Sequence, residues 1–214
     1  MIRIAIIIGS TRPGRRGPVV ARWVADVAGR HAAVAAGDAT FEVIDLAEYG
    51  LPLLDEPLPA AFGEYRNAHT RRWAATIGSF DGFVIVTPEY NHSVPAALKN
   101  AIDFLNAEWN DKAAGFVSYG IHGGTRAVEH LRLALAEVKV ADVRTQVVLP
   151  VFTEFDFTDA EITDPTALGV FTPGEHQEPT LTALLDDVIA WSQALKPLRD
   201  TRIRQPVGGA GPSR

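Results

Sequence analysis

The sequence predicts a doubly wound α/β domain, with five parallel strands in the order 2-1-3-4-5 and helices on both faces. Three observations support this. Apolar runs rich in Ile, Val and Phe recur near residues 3–8, 41–46, 80–87, 114–119 and 143–151, and the gaps between them are long enough for helices. The runs are continuous rather than alternating, as suits strands covered on both faces. Five strands fit this order, whereas two consecutive mononucleotide-binding halves need about six.

Taken in order, the first run passes into Gly9-Ser10-Thr11-Arg12-Pro13-Gly14-Arg15-Arg16-Gly17, a loop of hydroxyls, exposed amides and guanidinium groups suited to a phosphate. A helix begins near Pro18, with Val20, Trp23, Val24 and Val27 spaced i, i+3, i+4, i+7, and it adds the positive end of its dipole. The third run ends in Thr87-Pro88-Glu89-Tyr90-Asn91-His92-Ser93, before a helix opened by Pro95 with the stripe Leu98, Ala101, Ile102 and Leu105. The fourth ends in Ser118-Tyr119-Gly120, then Gly123-Gly124, then a helix with Leu131, Ala134, Leu135 and Val138. A last helix starts near Thr180 and carries Leu181, Leu184, Leu185 and Val188. These stripes are core.

The segment at about 151–179, rich in Thr, Asp, Pro and Phe, is long for a loop. It reads as a lid, an interface arm, a partly disordered stretch or a surface excursion. Residues 1–200 form a single domain, and 201–214 form a flexible tail, since Gln205 to Arg214 lack apolar periodicity.

With 214 residues, 47% hydrophobic and 21% charged, the chain suits one domain with a substantial core. A net charge of −6 argues against a general nucleic-acid binder. Against that balance, Arg12, Arg15, Arg16 and Arg22 occur before the first following acid, Asp26. The absence of cysteine excludes disulfides, thiol catalysis and thiolate-held metals, and the histidines lack HExxH spacing. Redox chemistry here requires a bound cofactor. No signal-type segment or membrane-length apolar run is present, so the expectation is a soluble cytoplasmic protein that binds neither membrane nor nucleic acid.

In the predicted sheet, strands 1, 3 and 4 are neighbours, and ligands sit beyond their carboxyl ends. The three unusual loops follow those strands. Each has a local explanation as a turn or cap, but their common placement favours a site. Gly9 and Gly14 have P-loop spacing, yet Arg15 and Arg16 stand where Lys and Ser or Thr are required. A GxGxxG is also missing, and Phe116 occupies the first glycine position of a GxSxG elbow around Ser118. A monophosphate therefore fits better than ATP, a dinucleotide or serine hydrolysis. The second loop suits the edge of a planar heterocycle, with Tyr90 shielding a face. His92 reads as a turn residue rather than a catalyst.

From Met1 to about Val148 the three segments together resemble the NADPH-dependent FMN reductase family, whose members are flavodoxin-like and commonly form dimers or larger assemblies. The motifs are Gly9-Ser10-Thr11-Arg12-Pro13 with Arg15 and Gly17; Thr87 to Asn91 through Leu98-Lys99-Asn100-Ala101-Ile102-Asp103; and Val117-Ser118-Tyr119-Gly120 with Gly123-Gly124. The resemblance implies that Ser10, Thr11, Arg12, Arg15 and the backbone around Gly17, Pro18 and Val19 hold the FMN phosphate. It implies that Pro88, Glu89, Tyr90 and Asn91 border the isoalloxazine, and that Ser118, Tyr119, Gly120 and Gly124 border the ribityl chain or the ring's other side.

The implied activity is hydride transfer from NADPH or NADH to bound FMN, then electron transfer to a small-molecule acceptor: a quinone, azo compound, metal complex or flavin. No separate catalytic residue is implied, and a homodimer or homotetramer is. The alternative is a flavodoxin-type FMN-binding electron carrier acting with a protein partner. Flavodoxins are generally shorter and more acidic, with hydroxyl-rich rather than arginine-rich phosphate loops.

Overall fold

A computed structural model describes residues 1–159, 161–164 and 166–204. The chain runs β1 (Ile2–Ile8), α1 (Gly17–Gly29), α2 (Ala32–Ala35), β2 (Ala39–Asp45), α3 (Ala68–Gly78), β3 (Gly82–Pro88), α4 (Ala96–Asp103) and β4 (Lys112–Gly120). It continues through α5 (Thr125–Glu137), β5 (Val140–Pro150), α6 (Val151–Glu154), β6 (Phe155–Asp156), β7 (Val170–Phe171) and α7 (Gln177–Arg204). The main sheet has the order β2-β1-β3-β4-β5, every pair parallel, as the sequence predicts.

Strand alternation divides the core in two. From β1, Ile4, Ile6 and Ile8 face α1 and α7, meeting Val20, Val24, Leu184 and Val188. Ala5 and Ile7 face the other way, toward Trp73 of α3, Leu98 and Ile102 of α4 and Leu131 of α5. Central β3 is buried at all seven positions, whereas edge strand β2 is buried only at Ala39 and Ile44, as suits a strand with one neighbour. At Gly115 a Cβ would stand 2.8 Å from Leu184 and Val188 side-chain atoms, so glycine there lets α7 lie against β4.

Two sequence expectations need adjustment, and α3 packs without a stripe of the kind read for the other helices. It packs through Thr70, Trp73 and Ile77, with the Trp73 indole donating to the Ala101 carbonyl at 2.8 Å. Helix α7 continues to Arg204, four residues into the stretch expected as tail, while residues 205–214 lie outside the described residues. The 151–179 segment has an ordered frame: α6, then the antiparallel pair β6–β7 with Phe155 opposite Phe171. Glu154, buried, ties its two ends, accepting from the Gly174 amide at 2.8 Å and the Gln177 side chain at 3.1 Å.

Candidate functional site

The loops that follow β1, β3 and β4 converge at the carboxyl edge of the sheet around a cavity of about 450 Å³, within the range of small-molecule sites. Arg12 and Arg16 come from the first loop, Pro88, Glu89 and Tyr90 from the second, and Tyr119, Gly120 and Ile121 from the third. A fourth wall comes from 151–179, including Phe152, Phe157, Ile162 and Ala167. Of the four readings of that segment, this placement fits a lid.

The first loop is pinned at its base. The Gly9 amide donates to the Val86 carbonyl at 2.9 Å, and a Cβ at Gly9 would stand 2.9 Å from Leu98. Ser10 is fully buried, and its Oγ lies 2.8 Å from the Tyr90 hydroxyl, joining the first loop to the second. Arg12 turns back onto the Gly14 carbonyl at 3.1 Å, with Gly14 taking the positive φ of 65° that the turn requires. Thr11 lies instead in a neighbouring cleft with Leu46 and Asn100.

The two adjacent arginines part company. Arg15 forms an ion pair with Asp45 at the end of β2, outside the cavity lining, which departs from its expected place. Arg16 lines the cavity, donates to the carbonyls of Leu168 at 2.8 Å and Ala167 at 3.0 Å, and lies over the Phe155 and Phe157 rings. Burial, then the neighbouring Arg12 charge, pushes Arg16 below the ordinary arginine range. The sequence does not single out Arg16, whose partners are about 150 residues away.

Helix α1 opens at Gly17 without a side-chain cap, and Pro18 contributes no amide. The Val19 amide is taken by the Arg16 carbonyl at 3.2 Å, and the Val19 side chain packs on the core. A Cβ at Gly17 would stand 2.8 Å from Ile8 Cγ2 and 3.2 Å from the Tyr119 oxygen. Tyr119 is 4% exposed, and its hydroxyl has no hydrogen-bond partner among the described residues. Burial is the main influence raising that hydroxyl's pKa; Tyr90 adds to it, and Arg12, Arg15 and Arg16 oppose it. The group stays protonated, as a donor.

In the second loop, Asn91 and His92 hold φ of 49° and 74°, closing a two-residue turn in which Tyr90 and Ser93 exchange backbone hydrogen bonds at 2.9 and 3.1 Å. Asparagine suits this left-handed geometry. Glu89 forms an ion pair with Arg126 at the start of α5. Burial raises the Glu89 pKa, but Arg126 and the amides of Ala127 and Arg126 outweigh it, holding the carboxyl below its usual range. Its side chain therefore serves α5.

In the third loop, Ser118 is buried, donating to the Gly123 carbonyl at 2.6 Å and accepting from Gln146 at 3.1 Å. Gly124 has φ 77°, and a Cβ there would stand 2.9 Å from that of Ser118. Both shape the turn without lining the cavity, whereas Tyr119 and Gly120 line it.

An anion suits this arrangement: two guanidinium groups, an uncapped helix start and an orphaned hydroxyl face or flank the cavity. Residues 2–154 match the family described as NADPH-dependent FMN reductase. The chain belongs to that family. An NAD(P)H-dependent FMN reductase of Nectria sp is 39% identical over 155 residues, 70% of this chain and 76% of the relative. A second, from Schizosaccharomyces pombe, is 38% identical over 152 residues, 69% of this chain and 74% of the relative. A quinone reductase of Escherichia coli K12 is 36% identical over 141 residues, covering 63% and 69% of the two chains.

The solved flavoenzyme NAD(P)H:(acceptor) oxidoreductase of Paracoccus denitrificans shares the fold at TM-score 0.65 and 19% identity, over 91% of this chain and 99% of its own. As a member of the FMN reductase family, this chain is an oxidoreductase that works with FMN and NAD(P)H. Most of the 151–179 segment lies beyond the matched residues, so this lid-like wall extends past the family match.

Proposed function

We propose that the cavity at the carboxyl edge of the sheet holds FMN, and that the enzyme passes electrons from NAD(P)H to a small quinone. The supporting observation is convergence: Arg12 and Arg16, Pro88 to Tyr90, and Tyr119 to Ile121 come from three loops and line one cavity. When bound, the flavin supplies the redox chemistry, accepting a hydride from the nicotinamide and donating electrons onward. Arg12 and Arg16 offer charge to its phosphate; the backbone of Pro88 and Glu89 and the ring of Tyr90 present a rigid, partly apolar edge to its heterocycle. Phe152, Phe157 and Ile162 give the far side an apolar wall.

Relatives that act on quinones support the acceptor class: the Escherichia coli quinone reductase and a 2-hydroxy-1,4-benzoquinone reductase of Burkholderia sp, 32% identical over 138 residues. Ile121, Phe152 and Ile162, each more than 60% exposed at the cavity mouth, support a homodimer or homotetramer in which a second copy covers them. Among the described residues no helix is long and apolar enough to cross a membrane, and we place the enzyme in the cytoplasm.

The test is anaerobic. Purified enzyme loaded with FMN bleaches on addition of NADPH or NADH and recovers its yellow absorbance on addition of a benzoquinone. Bound flavin that neither nucleotide bleaches overturns the reductase reading and points to a carrier; bleaching without reoxidation by quinone overturns the acceptor.

A further inference from the structure

Two polar atoms of cavity-lining side chains, the Tyr119 hydroxyl and Glu89 Oε2, are sealed from solvent without a hydrogen-bond partner among the described residues, and of the two only the hydroxyl can donate. Folded chains rarely leave such a group unpaired, and a ligand atom is one of the few partners that can satisfy it. Its position is specific: glycine at the first residue of α1 makes room for it, since a Cβ there would approach to 3.2 Å. That helix start has no side-chain cap, and Arg12 and Arg16 line the same cavity. A neutral donor beside a helix N-terminus and two arginines is suited to an anion with several acceptor oxygens.

We propose that the Tyr119 hydroxyl donates a hydrogen bond to the terminal phosphate of FMN and thereby makes the cavity select FMN over riboflavin. The proposal rests on the reading that this cavity binds FMN. It places Tyr119 at the phosphate rather than at the ribityl chain or the ring. It also accounts for Gly17: a larger residue there would press on both Ile8 and the donor.

The experiment compares wild type with Tyr119→Phe, titrating apoprotein with FMN and with riboflavin and following the quenching of flavin fluorescence. A hydrogen bond to a charged group predicts that the variant binds FMN roughly tenfold to a hundredfold more weakly. Riboflavin, which has no phosphate, should bind within about twofold of wild type on the same reasoning. The thermal midpoint of the apoprotein should be unchanged or raised, since the missing hydroxyl had no protein partner. Equal losses for both flavins, or no loss for either, overturn the proposal, as does a lowered apoprotein midpoint that accompanies equal losses. Wild type that binds riboflavin and FMN alike overturns phosphate selection while leaving a flavin site; wild type that binds neither overturns the cofactor assignment itself.

Discussion

The Tyr90 hydroxyl lies 2.8 Å from Ser10 Oγ, a hydrogen bond spanning 80 residues that fastens the loop after β1 to the loop after β3. Ser10 is fully buried and Tyr90 is 36% exposed, so the serine depends on the tyrosine more than the reverse. Tyr90→Phe is expected to lower stability by about 0.5–1.5 kcal/mol, the net worth of one such bond. Ser10→Ala should lose at least as much, since Ser10 Oγ also accepts from the Arg12 amide at 3.4 Å, and the double variant no more than Ser10→Ala alone, because the loss from Tyr90→Phe is contained in it. Urea unfolding of the four proteins measures this; additive losses would show that the contact is not energetically shared.

Arg12 and Arg15 are expected to differ as ligands. Arg12→Ala should weaken FMN binding by roughly tenfold to a hundredfold, the value of a charge-assisted hydrogen bond. Arg15, committed to Asp45, should matter little: Arg15→Ala is expected to change FMN affinity by less than about threefold on the same scale. Calorimetric titration of each apoprotein with FMN decides. A loss with Arg15→Ala as large as that with Arg12→Ala would mean that Arg15 leaves Asp45 for the cofactor.

This pair also shows where sequence stops being informative. The five strands were legible because each is a long apolar run, and the three loops because their glycines, prolines and hydroxyls stand out. Which of two adjacent arginines faces the cavity depends on the backbone path after Gly14 and on partners near residue 168, and neither leaves a local trace. Ser118 and Tyr119 likewise sit side by side, yet one serves the turn beneath and the other lines the cavity. Glu89 belongs to a recognisable loop, but its carboxylate answers to α5, set by Arg126. The 151–179 segment has no period from which its place in the cavity wall could be read.

Arg16 fastens the 151–179 wall to the loop after β1. Its guanidinium donates to Ala167 and Leu168 and covers the Phe155 and Phe157 rings. Charge-assisted hydrogen bonds contribute about 1.5–3 kcal/mol when buried, and partial exposure reduces that here. Arg16→Ala should therefore speed hydrogen exchange in peptides covering residues 157–171 by roughly tenfold, while α1 and the central strands exchange as before. Unchanged protection in those peptides would show that the Glu154 anchor suffices alone.

Lys112 makes stability depend on pH at the opposite edge of the sheet. It is 3% exposed, and its Nζ donates to the Ile77 carbonyl in the last turn of α3 at 2.7 Å and lies over Phe83. Burial is the largest influence on it and Arg199 the next; Asp81 and Glu108 pull the other way, and the net result is a pKa pushed down to about 7. An unfolded lysine titrates near about 10.4, so between these values the unfolded chain holds a proton that the folded chain has released. The Lys112 contribution to stability therefore rises with pH across that window and is flat below it, where both states are protonated. Lys112→Met keeps an apolar stem and removes the titration. In urea unfolding, the stability of wild type minus that of Lys112→Met should be constant from about pH 5.5 to 6.5 and grow in favour of wild type from about pH 7.5 to 9.5. A difference that stays constant across both ranges would show that the α3 carboxyl end keeps the ammonium charged.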